Sequence, residues 1–285
     1  MILVPVDFSI HSRAAAIRAC DLASASGARV HLIHALDLPV IGKREGIAQH
    51  LWDELRRSER RKLDRLHADL AIRGAPISVT FEEREPVEMI EEYAAVDDTD
   101  LIVMGTHGYR GFDRMFIGSV AERTIGTSVV PVMTVKENEW DAAAKIRRIL
   151  LATDFSADSE RAVGLAIKWA RHLGADVEVF HAMKGSRTEL ASDAVPGSMD
   201  HQGRSREAAL EGLKSILAQM LEAGVPASAD LSHGSASVEI VKRAVESRSN
   251  VVVMGRHGQT RAEPAICGSV ATRVLRQVKC SVLLA

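Results

Sequence analysis

The sequence predicts an α/β protein of two tandem, doubly wound domains, each a five-stranded parallel sheet with helices on both faces. Three observations predict it. Short apolar runs of strand length alternate along the chain with longer segments of helical periodicity, the pattern of a parallel sheet wound by crossover helices. A series of motifs occurs twice: Ile2-Leu-Val-Pro-Val-Asp-Phe-Ser9 returns as Ile149-Leu-Leu-Ala-Thr-Asp-Phe-Ser156, and Gly27-Ala-Arg-Val-His-Leu-Ile-His34 returns as Gly174-Ala-Asp-Val-Glu-Val-Phe-His181. Finally, Gly105-Thr-His-Gly108 is followed after nine residues by Gly118-Ser119, and 150 positions later Gly255-Arg-His-Gly258 is followed after nine residues by Gly268-Ser269. The period is one domain long, so this is a duplication and not a short-repeat solenoid.

In the first copy, Ile2–Val6 is an apolar run suited to a strand buried on both faces. Ser9 is a candidate N-cap for a helix over 10–26, with Ala14, Ile17, Cys20 and Leu22 on or near its apolar side and Gly27 as its stop. The second strand is Val30–Ala35. Leu51, Leu55, Leu63, Leu66 and Leu70 stand at helical spacing in a segment over 47–73, which Gly74-Ala-Pro76 ends. Ile77–Phe81 reads as the third strand, Val87–Ala95 as the third helix and Leu101–Met104 as the fourth strand. The glycine loop leads into a helix over 119–127, and the fifth strand is Val129–Val135. The second copy repeats this order, its early motifs offset by 147 and its late ones by 150. Its middle segment, Lys184–Arg204, reads as an irregular loop longer than its counterpart near Pro39–Gly46. The domains are therefore set at 1–138 and 146–285, joined by the short polar and alanine stretch Asn138–Lys145.

Composition narrows the function classes. The chain of 285 residues is 46% hydrophobic and 26% charged, enough apolar material for two cores. A net charge near −2 offers no basic field for nucleic acid. No apolar run approaches the ~18 residues of a membrane span. Cys20, Cys267 and Cys280 lie far apart, with neither disulfide nor zinc spacing, and the opening segment lacks a basic leader. A reducing cytoplasm is the default setting.

The glycine loops carry the chemistry. In such sheets a ligand crevice lies at the carboxyl ends of the strands, where strand order reverses. Asp7 and Gly105 both follow strand ends and should face one crevice, as should Asp154 and Gly255. Glycines between a strand and a helix N-terminus let a phosphate approach the backbone, and the amides around Gly118 and Ser119 lack intrahelical partners. Ser119 can cap its helix and form a Ser-x-x-Glu box with Glu122. The bland alternative is that these glycines only build a tight strand–helix connection. Asp7 and Asp154 could hold a ligand hydroxyl or cap the first helix of their copy. Ala35 and Ala182 are small enough to leave room for a flat base. His107 and His257 could touch a phosphate, move a proton or pack the loop.

Each half resembles a universal stress protein domain, and the chain resembles the tandem members of that family. The nucleotide-binding branch of the family carries Gly-x2-Gly-x9-Gly-Ser/Thr, which both copies match, and the Asp-Phe-Ser openings and Gly-Ser-Val-Ala-x-Arg are also family-like. The resemblance implies a Rossmann-like fold that binds ATP or a related adenine nucleotide, with magnesium carried by the phosphates. It places Asp7 and Asp154 at the adenine and ribose side and the backbone of Val6 and Thr153 at the base. It implies a site of Val6, Asp7, Ala35, Met104, Gly105, His107, Gly108, Gly118 and Ser119, repeated as Thr153, Asp154, Ala182, Met254, Gly255, His257, Gly258, Gly268 and Ser269. It also implies pairing through the last strands, Val129–Val135 and Ser281–Leu284, within the chain or in a homodimer.

The copies are unequal. The second has Arg261 at the register of Gly111, Pro264 at that of Arg114, and Thr272 at that of Glu122. Proline removes an amide donor from the loop. After the third strand the first copy has Arg84, which either reaches the crevice or faces water, where the second has Gly234. Neither a Gly-x4-Gly-Lys-Ser/Thr loop nor a Gly-x-Ser-x-Gly elbow is present. Three functions follow: a nucleotide-binding regulator of stress or energy state that acts on a protein partner, a weak ATPase or phosphotransferase whose turnover matters, and a nucleotide-free interaction scaffold.

Overall fold

Strand β1, Ile2–Pro5, leads a unit in which every predicted element is present in its predicted order. A computed structural model describes residues 1–37, 49–96, 98–106, 117–136, 145–183, 198–259 and 267–285. The chain divides into two compact units, Met1–Ala144 and Lys145–Ala285. Unit 1 runs β1, α1 (Ile10–Ser26), β2 (Val30–Ala35), α2 (Gln49–Ala71), β3 (Ile77–Glu82), α3 (Pro86–Ala94), β4 (Leu101–Gly105), α4 (Ser119–Thr127) and β5 (Val132–Val135). Unit 2 runs β6 (Arg148–Ala152), α5 (Ala157–Leu173), β7 (Asp176–Met183), α6 (Ser198–Glu222), β8 (Ala227–His233), α7 (Ala236–Glu246), β9 (Val251–Met254), α8 (Ser269–Gln277) and β10 (Ser281–Leu284).

The strand order in unit 1 is β3-β2-β1-β4-β5, all parallel, and unit 2 repeats it as β8-β7-β6-β9-β10. The order reverses between β1 and β4, and between β6 and β9, so each unit has its switch point where the sequence places an aspartate and a glycine loop. Leu3, Val4, Leu101, Ile102 and Val103 are fully buried, as strands covered on both faces require.

Helix α1 shows how local chemistry sets the boundaries. Ser9 Oγ accepts the Ser12 N–H at 3.1 Å, and Gly27 closes the helix at φ 71° with its N–H on the Ala23 carbonyl. In α5, Ser156 and Gly174 (φ 60°) repeat both caps. Three details depart from the periodicity. Ile17 is only half-buried, while Arg18 is 1% exposed within α1, at the register of Leu165. Leu51 is exposed and Leu55 half-buried, so α2 is held by Leu63, Leu66 and Leu70. The fifth strand starts only after Pro131, because Ser128 and Val130 are tied to each other instead of to a ladder, and Val129 is exposed.

One half-buried polar position is solved differently in each unit. In unit 1, His31 Nε2 meets Thr80 Oγ1 at 2.9 Å and its ring meets Tyr93 edge-on. In unit 2, the same registers hold Glu178, Asp230 and Arg243, joined as ion pairs. Both arrangements give partners to polar groups that are partly withdrawn from water.

Candidate functional site

In unit 1 the ends of β1, β2 and β4 and the first turns of α3 and α4 enclose a cavity of about 350 Å³. Val6, Asp7, Ala35, Met104, Gly105, Gly118 and Ser119 all line it. Sequence reasoning missed Pro5, Ile33, Thr106, Val120 and Ala121, together with Ser12 and the α3 residues Pro86, Met89 and Ile90. The signal for α3 was available: its first turn follows the carboxyl end of β3 and so belongs to the same edge of the sheet. Ile33, Met89, Ile90 and Met104 give the cavity an apolar floor. His107 and Gly108 lie outside the described residues.

The polar end of the cavity is the start of α4. Gly118, not Ser119, is the N-cap, and no side chain caps the helix. The predicted Ser119–Glu122 box is therefore corrected: the Gly118 carbonyl already accepts the Glu122 N–H at 2.9 Å, which makes Ser119 the first helical residue. This leaves the Ser119 hydroxyl at the cavity lining. Gly118 N–H donates to the Thr106 carbonyl at 2.8 Å, pinning the helix start to the end of β4. The N–H groups of Ser119, Val120 and Ala121 precede the first intrahelical bond, and with the helix dipole they suit an anion.

Of the two roles expected of Asp7, the structure shows the contact that supports the helix cap. The Asp7 Oδ1 accepts the Ser9 N–H at 3.0 Å and the Ser9 hydroxyl at 2.6 Å, which steadies the α1 cap, while the residue also lines the cavity. Phe8 beside it sits at φ 63°, a left-handed conformation costly for an aromatic residue, and Phe155 repeats it at 62°.

Val6 gives its N–H to the Ile33 carbonyl, and its own carbonyl accepts His34 Nδ1–H at 2.7 Å. In unit 2, Thr153 N–H goes to Phe180 and its carbonyl meets His181 Nδ1 at 2.8 Å. The base-facing backbone expected at Val6 and Thr153 is thus already hydrogen-bonded. Ala35 offers an alternative. Ile33 is paired toward β1 and Leu36 N–H toward Glu82 of β3, so the alternation of the ladder turns the Ala35 N–H and C=O toward β1, beyond its last residue. A donor beside an acceptor there suits the edge of a purine.

His34 is buried, and burial pushes its pKa down, partly opposed by the Val6 carbonyl and by the Glu59 and Asp7 charges. Its Nε2 has no hydrogen-bond partner and lies 3.5 Å from a Glu59 carboxylate oxygen. Arg84 is absent from the cavity lining and lies at the surface, paired to Glu82 and Glu92.

The glycines have steric reasons as well. A Cβ at Gly105 would lie 2.8 Å from the His11 backbone, and one at Gly255 would lie 2.8 Å from Asp158. These two glycines let β4 and β9 meet the first turn of α1 and α5. At Gly258 a Cβ would lie 2.6 Å from Asp154 Oδ2, and at Gly268 one would lie 3.0 Å from the Arg256 carbonyl. Thr153, Ala182 and Met254 stand at the strand ends in unit 2, and Gly268 and Ser269 open α8 as their counterparts open α4. His257 packs the loop: its N–H donates to Asp158 Oδ2 at 3.0 Å, and its Nδ1 is 3.3 Å from the same oxygen. Arg256, at the register of Thr106, is a difference the sequence displayed and the motif reading passed over. Burial pushes its pKa down. Arg261 and Pro264 lie outside the described residues.

Comparison with known proteins agrees with this geometry. The universal stress protein family matches residues 1–136 and again 145–285. A universal stress protein of Methanocaldococcus jannaschii is 34% identical over 138 residues, covering 48% of this chain and 81% of that protein. One from Thermus aquaticus is 29% identical over 137 residues, covering 47% and 97%. In fold, a universal stress protein from Archaeoglobus fulgidus aligns with a TM-score of 0.74 at 20% identity, covering 100% of this chain and 95% of the other. The chain belongs to the universal stress protein family, with the family's domain present twice.

Proposed function

We propose that unit 1 binds an adenine nucleotide, ATP with magnesium being the leading form, and that the protein acts in the cytoplasm as a regulator of stress or energy state with slow hydrolysis at most. One observation carries this reading: the cavity pairs an apolar floor with the uncapped N-terminus of α4. The floor suits a flat base, the Ala35 main chain suits a purine edge, and the α4 amides suit a phosphate chain. Adenine over guanine rests on the family resemblance. Magnesium needs few protein ligands and travels with the phosphates, and Asp7 is the carboxylate lining the cavity. Nucleotide then shifts the protein between states of different affinity, and a partner protein reads the altered surface.

Native mass spectrometry of the full chain with ATP and magnesium tests this directly. Bound nucleotide that disappears in Ala35→Phe is the expected result. No binding at millimolar ATP would overturn the reading and leave a nucleotide-free scaffold.

A further inference from the structure

Helices α2 and α6 hold the same place in their units, and Gly74-Ala-Pro76 after α2 matches Gly224-Val-Pro226 after α6 at an offset of 150. Their buried sides agree: Leu63, Leu66 and Leu70 correspond to Leu213, Ile216 and Met220, all buried. The faces turned to water therefore correspond as well, and there the charges are reversed. Arg57 and Arg61 stand at the registers of Glu207 and Glu211, and Asp64 stands at that of Lys214. All six side chains are exposed.

On α2 the row continues to Arg65, so three guanidinium groups follow one another at four-residue steps, about 6 Å apart along the axis. Like charges at this spacing oppose the helix that carries them. The other cations nearby are matched: Arg56 with Asp53 and Glu83, Arg60 with Asp64, and Lys62 with Glu59. Arg57 gives its Nε–H to the Asp53 carbonyl at 3.0 Å, while Arg61 and Arg65 have no ion pair among the described residues. On α6, Glu207 has none either, and Glu211 has only a 4.0 Å contact with Lys214. The two rows therefore do not neutralise each other within one chain. Exposed apolar side chains lie beside each row: Ile72 just past α2, and Leu210 and Leu221 on α6.

We propose that the two rows are the halves of one docking contact, in which the arginine face of α2 receives the glutamate face of α6 from a second copy of this chain. The equal four-residue spacing lets Glu207 and Glu211 of one copy meet two neighbouring arginines of the other, and Ile72 and the leucines add apolar area. A second copy fits better than a lipid surface or an unrelated acidic protein, because the complementary row belongs to the same sequence at matching positions. A contact made mostly of exposed charges sets encounter and register more than it adds affinity, so the association is reversible and weakened by salt. No residue of α2 or α6 lines the cavity, so the contact can be broken without touching the proposed nucleotide site.

The test is the mass of the full chain in solution, by sedimentation equilibrium at submillimolar concentration in low and in half-molar salt. Wild type should self-associate in low salt and do so about tenfold or more weakly in half-molar salt. Arg57→Glu with Arg61→Glu, and separately Glu207→Arg with Glu211→Arg, should each give a monomer, since each sets like charges opposite one another. Mixed in equal amounts, these two variants should associate with each other, because every α2–α6 contact between them is again of opposite sign. All four substitutions in one chain should restore self-association. Circular dichroism and thermal unfolding check that each variant is folded. Where a reversal does not fold, Arg57→Gln with Arg61→Gln and Glu207→Gln with Glu211→Gln replace it, each expected to weaken association about tenfold or more. A monomeric wild type in low salt would overturn the proposal, as would self-association that survives the substitutions, or a loss that the mixture does not recover. Binding of monomeric wild type to phosphatidylserine vesicles through Arg57 and Arg61 would overturn it too and give the face to a membrane.

Discussion

His34 Nδ1 lies 2.7 Å from the Val6 carbonyl oxygen, and His181 Nδ1 lies 2.8 Å from that of Thr153. A carbonyl only accepts, so Nδ1 carries the proton in each and the tautomer is set. The contact joins β2 to the residue just past β1, at the edge where the cavity opens in unit 1.

The buried state of His34 has a pH consequence. Its pKa in the folded chain is lowered, chiefly by burial, so the unfolded chain binds more protons near the ordinary value of about 6.5. Stability contributed by the neutral ring is complete above that value. It declines as pH falls toward the folded pKa and levels off below it. His31, also lowered by burial and by Arg29, adds in the same direction. Urea midpoints between pH 8 and pH 5 should fall with acid, and His34→Phe should flatten the slope, leaving the His31 part.

Thr124 tests an unmet hydroxyl. It is 1% exposed on α4, and its Oγ1 has no hydrogen-bond partner. Val274 occupies the same register in α8 and is fully buried. Thr124→Val should stabilise the protein by about 1 kcal/mol, and Val274→Thr should destabilise it by about 1–3 kcal/mol, by thermal or denaturant unfolding.

The glycines separate by reason. Gly105→Ala places a methyl group 2.8 Å from the α1 backbone and should cost about 2 kcal/mol or more as β4 and α1 move apart. Gly164, exposed on α5 with open space at its Cβ, should gain about 1 kcal/mol on replacement by alanine. Equal effects at the two positions in denaturant unfolding would contradict the steric account.

Binding in unit 1 should follow the lining. Ala35→Phe fills the space left for the base and should weaken nucleotide affinity by about 100-fold or more, beyond the scale of a single lost contact. Ser119→Ala removes one hydroxyl but no main-chain N–H, so about a fivefold loss is expected. Isothermal titration with ATP and magnesium measures both. A larger loss for Ser119→Ala than for Ala35→Phe would mean that the hydroxyl, not the cavity, governs affinity.

The elements were legible because their signals are local. Ser9 and Gly27 bound α1 through contacts within four residues, and apolar runs such as Leu101–Met104 announce buried strands directly. The start of β5 was misplaced because valine at 129 and 130 outweighed Pro131 in the reading. The Ser119–Glu122 box failed for a similar reason: the spacing is right, but the chain enters the helix one residue earlier, at Gly118. Seven of the sixteen residues that line the cavity were read from motifs. The α3 residues were not, since Met89 and Ile90 look like ordinary core until the helix is placed beside β1.

The sequence by itself determined the duplication, the order of elements and the edge of each sheet where a ligand would sit, because periodicity, caps and glycines act over a few residues. Only the tertiary structure decided which polar groups at that edge are tied to one another. Gln259 and Asp154 are 105 positions apart, and His257 and Asp158 are 99 apart. Hydrogen bonds across such distances leave no local pattern, so neither contact could be read from the glycine motif.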